Sequence, residues 1–168
     1  MRIYLVGYMA SGKSQTGRDL AMHLGFEFLD LDEMFEERYR ISIMDFFQKY
    51  DEAGFRRIES GLLRETGRCE NTVISTGGGT PCFYGNMDFI LSQGKSVYLK
   101  IPVPELVKRL KSIRKKRPLL TGIKEDELEK FIREQLAVRE KYYLQATIIS
   151  QGPDHDLKNM IQILNFPA

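Results

Sequence analysis

The stretch Gly7-Tyr-Met-Ala-Ser-Gly-Lys-Ser14 follows directly on the apolar run Ile3-Tyr-Leu-Val6. It matches G-x-x-x-x-G-K-[ST] in the setting that gives the pattern its meaning, after an extended segment and at the head of a helical one. No other feature restricts the fold as much. A loop of this kind is launched by a buried strand and opens a helix whose positive end faces bound phosphates. The backbone N–H groups of Ala10, Ser11, Gly12, Lys13, Ser14 and Gln15 are expected to wrap the phosphates of a nucleoside triphosphate. Lys13 would bridge the β and γ phosphates, and the Ser14 hydroxyl would ligate Mg²⁺.

The rest of the chain alternates short β-branched or aromatic runs with stretches of helical periodicity, the pattern of strands joined by helical crossovers. Strands are expected at Ile3–Val6, Phe26–Leu29, Thr72–Ser75, Ser96–Ile101 and Thr147–Ile149. Those at 3–6, 72–75 and 147–149 are nearly continuous apolar runs, as in a parallel sheet covered on both faces. Helices are expected over Lys13–Leu24, over Asp32–Tyr39, from a Ser42 cap to Tyr50, through Phe55, Ile58 and Leu62, from near Pro104, and over Glu125–Tyr142. The fold class is therefore α/β, a five-stranded parallel sheet flanked by helices. At 168 residues the chain has room for one domain.

A loop that grips phosphate does not say where the phosphate goes. With 25 basic and 23 acidic residues the net charge is only +2, a weak footprint for nucleic acid. The basic run Arg114-Lys-Lys-Arg117 has no interleaved aromatic residues, so no nucleic-acid partner is expected. No apolar run approaches 18 residues and Met1 opens no leader, so neither membrane insertion nor export is expected, and a cytoplasmic location is. Cys69 and Cys82 form no C-x-x-C pair and are read as reduced thiols. His23 and His155 have no metal-ligand neighbours in sequence and are read as structural or surface residues. A guanine-reading N-K-x-D sequence is absent, which weighs against a GTPase.

Candidates for acceptor and metal chemistry lie downstream. Leu29-Asp30-Leu31-Asp32 places two carboxylates at the C-terminal edge of the sheet, where open α/β folds bind ligands. If the segment stays extended, alternation sends both acids to one side; the other reading of equal weight is that they cap the following helix. The third strand ends Ile74-Ser75-Thr76, without the aspartate that often holds the metal, so Asp30 is the nearest metal carboxylate. Arg56 and Glu59 lie three apart on one helical face and are able to interact. Gly77-Gly-Gly79 lets backbone approach a ligand closely. Arg117 precedes Pro118 in a basic segment expected to be a mobile loop, and Arg139 lies four residues before Tyr143.

In this order and approximate spacing, the phosphate loop, Asp30-x-Asp32, Phe55-Arg56-x-x-Glu59, Gly77-Gly-Gly79, Arg117-Pro-Leu-Leu120 and Arg139-x-x-x-Tyr143 resemble the shikimate kinase family. The resemblance spans nearly the whole chain. It implies a P-loop kinase three-layer sandwich of the nucleoside monophosphate kinase type, with a substrate-binding region near 32–60 and a lid near 110–123. It implies transfer of the γ-phosphoryl group of ATP to the 3-hydroxyl of shikimate, on the route to chorismate and the aromatic amino acids, by a monomer. By position, Asp32 would bond the shikimate hydroxyls and orient the attacking one. Arg56 and Arg139 would clamp the carboxylate, with Gly78 and Gly79 lining it. Asp30 would hold Mg²⁺ through water beside Ser14, and Arg117 would swing in with the lid over the transferring phosphoryl group. A guanidinium pair opposite an acceptor carboxylate also suits a small anionic polyol on charge grounds alone.

Two positions depart from the family pattern: Ala10 stands where glycine is common, and Gln15 where threonine often follows the serine. The adenine-side contact is expected near Gln151-Gly-Pro153. Another small-molecule P-loop kinase, such as a gluconate kinase, is the alternative reading.

Overall fold

In the computed structural model, which describes residues 1–113, 122–124 and 126–164, the apolar runs become five parallel strands. They are β1 (Arg2–Val6), β2 (Glu27–Asp30), β3 (Thr72–Ser75), β4 (Lys95–Lys100) and β5 (Ile148–Gln151), in the order β2-β3-β1-β4-β5. Between them run α1 (Lys13–Leu24), α2 (Leu31–Tyr39), α3 (Ile43–Lys49), α4 (Glu52–Glu65), α5 (Asn86–Gln93), α6 (Val103–Ile113) and α7 (Leu128–Tyr143), and α8 (Leu157–Ile163) follows β5. Among the described residues no helix is long and apolar enough to cross a membrane.

The alternation of β1 divides the core into two layers. Ile3 and Leu5 pack with Leu20 and Ala21 of α1 and Met160 of α8. Tyr4 and Val6 face the opposite layer, with Leu31, Phe35, Ile90 and Leu106. Covering both faces explains why β1 carries almost no polar side chain, and each buried Ile or Leu contributes about 1.5–3 kcal/mol. Because β1 pairs with β3 on one side and β4 on the other, the loop that leaves it is held at the middle of the sheet. That is where a ligand crevice belongs in a doubly wound fold.

Helices α2, α3 and α4 form a unit around aromatic rings. Phe35 stands 5.1 Å from Phe55 and 5.3 Å from Phe46, centroid to centroid. Each helix begins with a side-chain cap: Asp30 accepts from the Asp32 N–H, Ser42 from that of Asp45 and Asp51 from that of Gly54. Seating Phe55 inward turns its neighbour Arg56 and the following Glu59 toward the centre of the molecule, where both are buried.

Element boundaries differ from expectation where a local bond decides them. Phe26 closes the end of α1 through its N–H to the Ala21 carbonyl, so β2 starts at Glu27 and runs on to Asp30. Thr147 bonds the Ser96 side chain, and β5 starts one residue later. Helix α7 begins at Leu128, after a turn whose Glu127 N–H bonds the Lys124 carbonyl. Two short helices, α5 and α8, add to those expected. The first is preceded by Gly85 in a left-handed conformation with no capping side chain. Arg117 and most of the 110–123 segment lie outside the described residues.

Candidate active site

The phosphate loop connects β1 to α1. Gly12 has φ of +91°, a conformation that strains any residue with a Cβ. Ala10 stands at φ of +62°, where an L residue is disfavoured by about 1–2 kcal/mol. The departure at position 10 thus has a definite physical cost. Lys13 is 8% exposed, and its ammonium donates to the Gly7 and Tyr8 carbonyls, both at 2.9 Å, and to Ser11 Oγ at 3.4 Å. Gln15 lies along α1 with its amide on Asp19.

From outside, the loop is braced by two side chains that the sequence does not advertise. Arg109 of α6 donates to the Ala10 carbonyl at 3.3 Å and to the Pro153 carbonyl at 2.8 Å, with Glu105 holding its Nε. His155 Nε2 lies 3.3 Å from the Ser11 carbonyl and its Nδ1 lies 2.9 Å from Ser150 Oγ. Only an N–H bonds a carbonyl, so the proton sits on Nε2 and Nδ1 accepts from the serine. Burial lowers the His155 pKa, consistent with that neutral tautomer. The Ser11 carbonyl is thereby fixed toward His155, and the Gly12 N–H stands on the opposite side of a planar peptide. His155 is structural, as expected, and what it structures is the phosphate loop.

Asp30 and Asp32 meet the loop differently from the extended-strand expectation. Asp30 ends β2 and caps α2, whereas Asp32 already lies in the helix. The capping role and the site role coincide: one Asp30 oxygen accepts the Asp32 N–H at 3.0 Å, the other the Ser14 hydroxyl at 2.6 Å. A hydroxyl beside a carboxylate at the end of a phosphate loop suits Mg²⁺, which takes few protein ligands and completes its shell with phosphate oxygens and water. Among the described residues no cluster of three His, Cys, Asp or Glu offers a fuller metal cage.

Two cavities adjoin here. One, of about 320 Å³, is lined by Ala10, Gly12, Lys13, Ser14, Gln15 and Arg109. The other, of about 580 Å³, is lined by Arg56, Glu59, Gly79, Arg139, Phe47 and Phe55. Met9, Ser14, Asp30, Asp32, Gly77 and Gly78 border both. The two carboxylates therefore stand on the wall between a phosphate cradle and a pocket carrying two guanidinium groups.

Those guanidinium groups differ in their surroundings. Arg56 is 4% exposed and donates to Glu59 at 2.8 Å and to Glu52 at 3.1 and 3.2 Å. Burial opposes its charge, but Glu59 and Glu52 outweigh burial and raise its pKa. Three of its five N–H groups are used, which leaves one on each terminal nitrogen for a ligand. Arg139 is 8% exposed, lies 5.8 Å from the Tyr8 ring centroid, and its Nη1 has no hydrogen-bond partner among the described residues. A buried guanidinium nitrogen without an acceptor is costly, and an anion in the pocket would satisfy it. Burial also pushes the Tyr8 hydroxyl up to about 12 and the Cys82 thiol up to about 11, so both stay neutral beside that cation.

The glycine strip sits against these arginines. The Gly78 carbonyl accepts from the Tyr143 hydroxyl. A Cβ on Gly79 would fall 2.5–2.6 Å from the Arg56 guanidinium. Gly79→Ala is expected to cost about 1–3 kcal/mol by overpacking, read as Tm lower by roughly 2–4 °C per kcal/mol. An unchanged Tm would mean that Arg56 is free to move aside.

A family model described as shikimate kinase matches residues 9–166 of the chain. The shikimate kinase of Parabacteroides distasonis is 41% identical over 167 residues, which cover 95% of this chain and 96% of that relative. Among solved structures, shikimate kinase from Bacteroides thetaiotaomicron is similar with a TM-score of 0.92 at 38% identity, over 99% of both chains. That from Acinetobacter baumannii in complex with shikimate is similar with a TM-score of 0.87 at 34% identity, over 96% of this chain and 88% of that one.

Proposed function

Since the chain belongs to the shikimate kinase family, an ATP-dependent one, we propose that it carries the γ-phosphoryl group from the cradle at Gly7–Ser14 to the 3-hydroxyl of a shikimate bound in the larger cavity. One observation carries the assignment of roles: Asp30 and Asp32 stand on the wall shared by the phosphate cavity and the cavity with Arg56 and Arg139. A donor and an acceptor bound in these two spaces meet at that wall.

Arg56 and Arg139 bind the shikimate carboxylate. The two unused N–H groups of Arg56 and the unpartnered Nη1 of Arg139 support this, since guanidinium groups match a carboxylate in both charge and geometry. Gly78 and Gly79 let the ring approach the backbone. Asp32 accepts from the attacking hydroxyl and orients it; in a loose transition state, orientation counts for more than early deprotonation. Lys13 moves from the loop carbonyls to the β and γ phosphates once nucleotide enters. Ser14 and, through water, Asp30 would hold Mg²⁺, which when bound offsets charge on the phosphate oxygens. Arg117, outside the described residues, is assigned to the transferring phosphoryl group as part of a lid near 110–123. Closure of such a lid excludes water as a competing acceptor. The substrate-binding region is assigned to 32–60. We take the protein to act as a monomer and place its action in the cytoplasm.

The test is ADP release from ATP and Mg²⁺ with shikimate, quinate, gluconate or AMP supplied separately. Release is expected with shikimate and, for the other three, at no more than about one hundredth of that rate, because a buried polar site left unpaired discriminates strongly. Equal release with gluconate would overturn the acceptor assignment.

A further inference from the structure

The mechanism leaves unused a chain of buried polar groups behind the carboxylate clamp. Glu59 is 3% exposed and spends one oxygen on Arg56 at 2.8 Å. Its other oxygen accepts the Thr80 hydroxyl at 2.6 Å. Thr80 is fully buried in the 3-10 turn Thr80–Cys82 that follows the glycine strip. Asn86, also fully buried, donates from its amide to the Thr80 carbonyl at 2.8 Å. The amide oxygen of Asn86 receives the Ser60 hydroxyl at 2.7 Å and Arg64 at 3.0 Å. With donors converging on the oxygen and a carbonyl facing the nitrogen, the amide has one allowed orientation.

This chain joins the two elements that build the clamp. Arg56, Glu59, Ser60 and Arg64 belong to α4, whereas Thr80 directly follows Gly79, which lies against the Arg56 guanidinium. Two acceptors compete for that guanidinium, exposed Glu52 and buried Glu59. Where Glu59 points therefore determines where the free N–H groups of Arg56 point. A carboxylate without its second donor would rotate to regain one, and a bidentate guanidinium contact does not survive a shift of its partner.

We propose that Thr80 is a positioning residue for substrate recognition: through Glu59 it sets the direction of the Arg56 guanidinium, with Asn86 locking Thr80 in place. The proposal rests on the assignment of Arg56 to the shikimate carboxylate. It predicts a defect confined to one substrate, since the Thr80 hydroxyl bonds Glu59, which lines the cavity of the arginines and not, among the described residues, the phosphate cavity.

Thr80→Val removes the hydroxyl at nearly constant volume, and Thr80→Ser restores it. For T80V the KM for shikimate is expected to rise about tenfold, the scale of one lost hydrogen bond to a charged group. The KM for ATP should stay within about twofold and kcat within about threefold, and T80S should recover the shikimate KM to within about threefold. Thr80→Ala, which puts no methyl group against Glu59, is read the same way should T80V not fold. In an Arg56→Met background T80V should have no further effect on the shikimate KM, because an effect transmitted through Arg56 vanishes with it. The proposal is overturned if T80V leaves the shikimate KM unchanged, raises both KM values equally, or adds its full effect to that of R56M. If R56M itself leaves the shikimate KM unchanged, it is the assignment of the clamp that fails.

Discussion

Lys13→Met is expected to lower the rate of phosphoryl transfer by about a thousandfold while leaving shikimate binding intact. The donor lost is a buried ammonium that we assign to the β and γ phosphates, and removal of a single neutral oxyanion donor already costs about 10²–10³ in kcat. Methionine keeps much of the volume and none of the charge. The fold should register the change more mildly. The Gly7 and Tyr8 carbonyls and Ser11 Oγ lose a shared donor, worth about 1–3 kcal/mol for buried groups left unpaired. Single-turnover ADP formation and thermal unfolding separate the two effects. Turnover within tenfold of the unsubstituted protein would remove Lys13 from the chemistry.

The second large effect is a contrast between the two arginines. Arg139→Met is expected to raise the shikimate KM by roughly 30-fold or more, from the 2–5 kcal/mol typical of truncating one partner of a buried charged contact. The same variant should leave Tm unchanged or raise it. Among the described residues the Nη1 of Arg139 has no hydrogen-bond partner, so its burial is a cost to folding that methionine removes. Arg56→Met should also weaken shikimate binding, but it strands Glu59, whose carboxylate is buried on Thr80. Breaking a buried pair from one side typically costs about 3–5 kcal/mol of stability. A binding defect without a stability defect in R139M, and both together in R56M, is the pattern to look for in paired calorimetry and kinetics. Equal losses of Tm in the two variants would contradict the account of Arg139.

What was legible in the sequence was what local pattern encodes. The loop Gly7–Ser14, the strand before it and the helix after it follow from spacing and periodicity, as does the closeness of Arg56 and Glu59 three residues apart on α4. Asp30 and Asp32 were legible as a pair facing one site, but for a different physical reason. The strand stops at Asp30 because that side chain caps α2, and the helical turn then brings Asp32 to the shared wall. Thr80, Asn86, Arg109 and His155 were not legible in their roles. Their partners stand 21, 6, 99 and 144 residues away, and no periodicity reports a bond closed by the packing of separate elements. The unmet hydrogen bond of Arg139 Nη1, which finds no acceptor among the described residues, was equally hidden, because it shows only once its surroundings are built.

The brace on the phosphate loop also orders events during synthesis. β1 lies at the centre of the sheet, yet both its neighbours, β3 and β4, are made after it. Arg109 and His155, which grip the loop at Ala10 and Ser11, emerge later still. Contacts so distant along the chain carry a large closure entropy and form late. The phosphate loop is therefore made well before the side chains that brace it, and a nascent chain short of His155 carries the nucleotide-binding sequence without its completed brace.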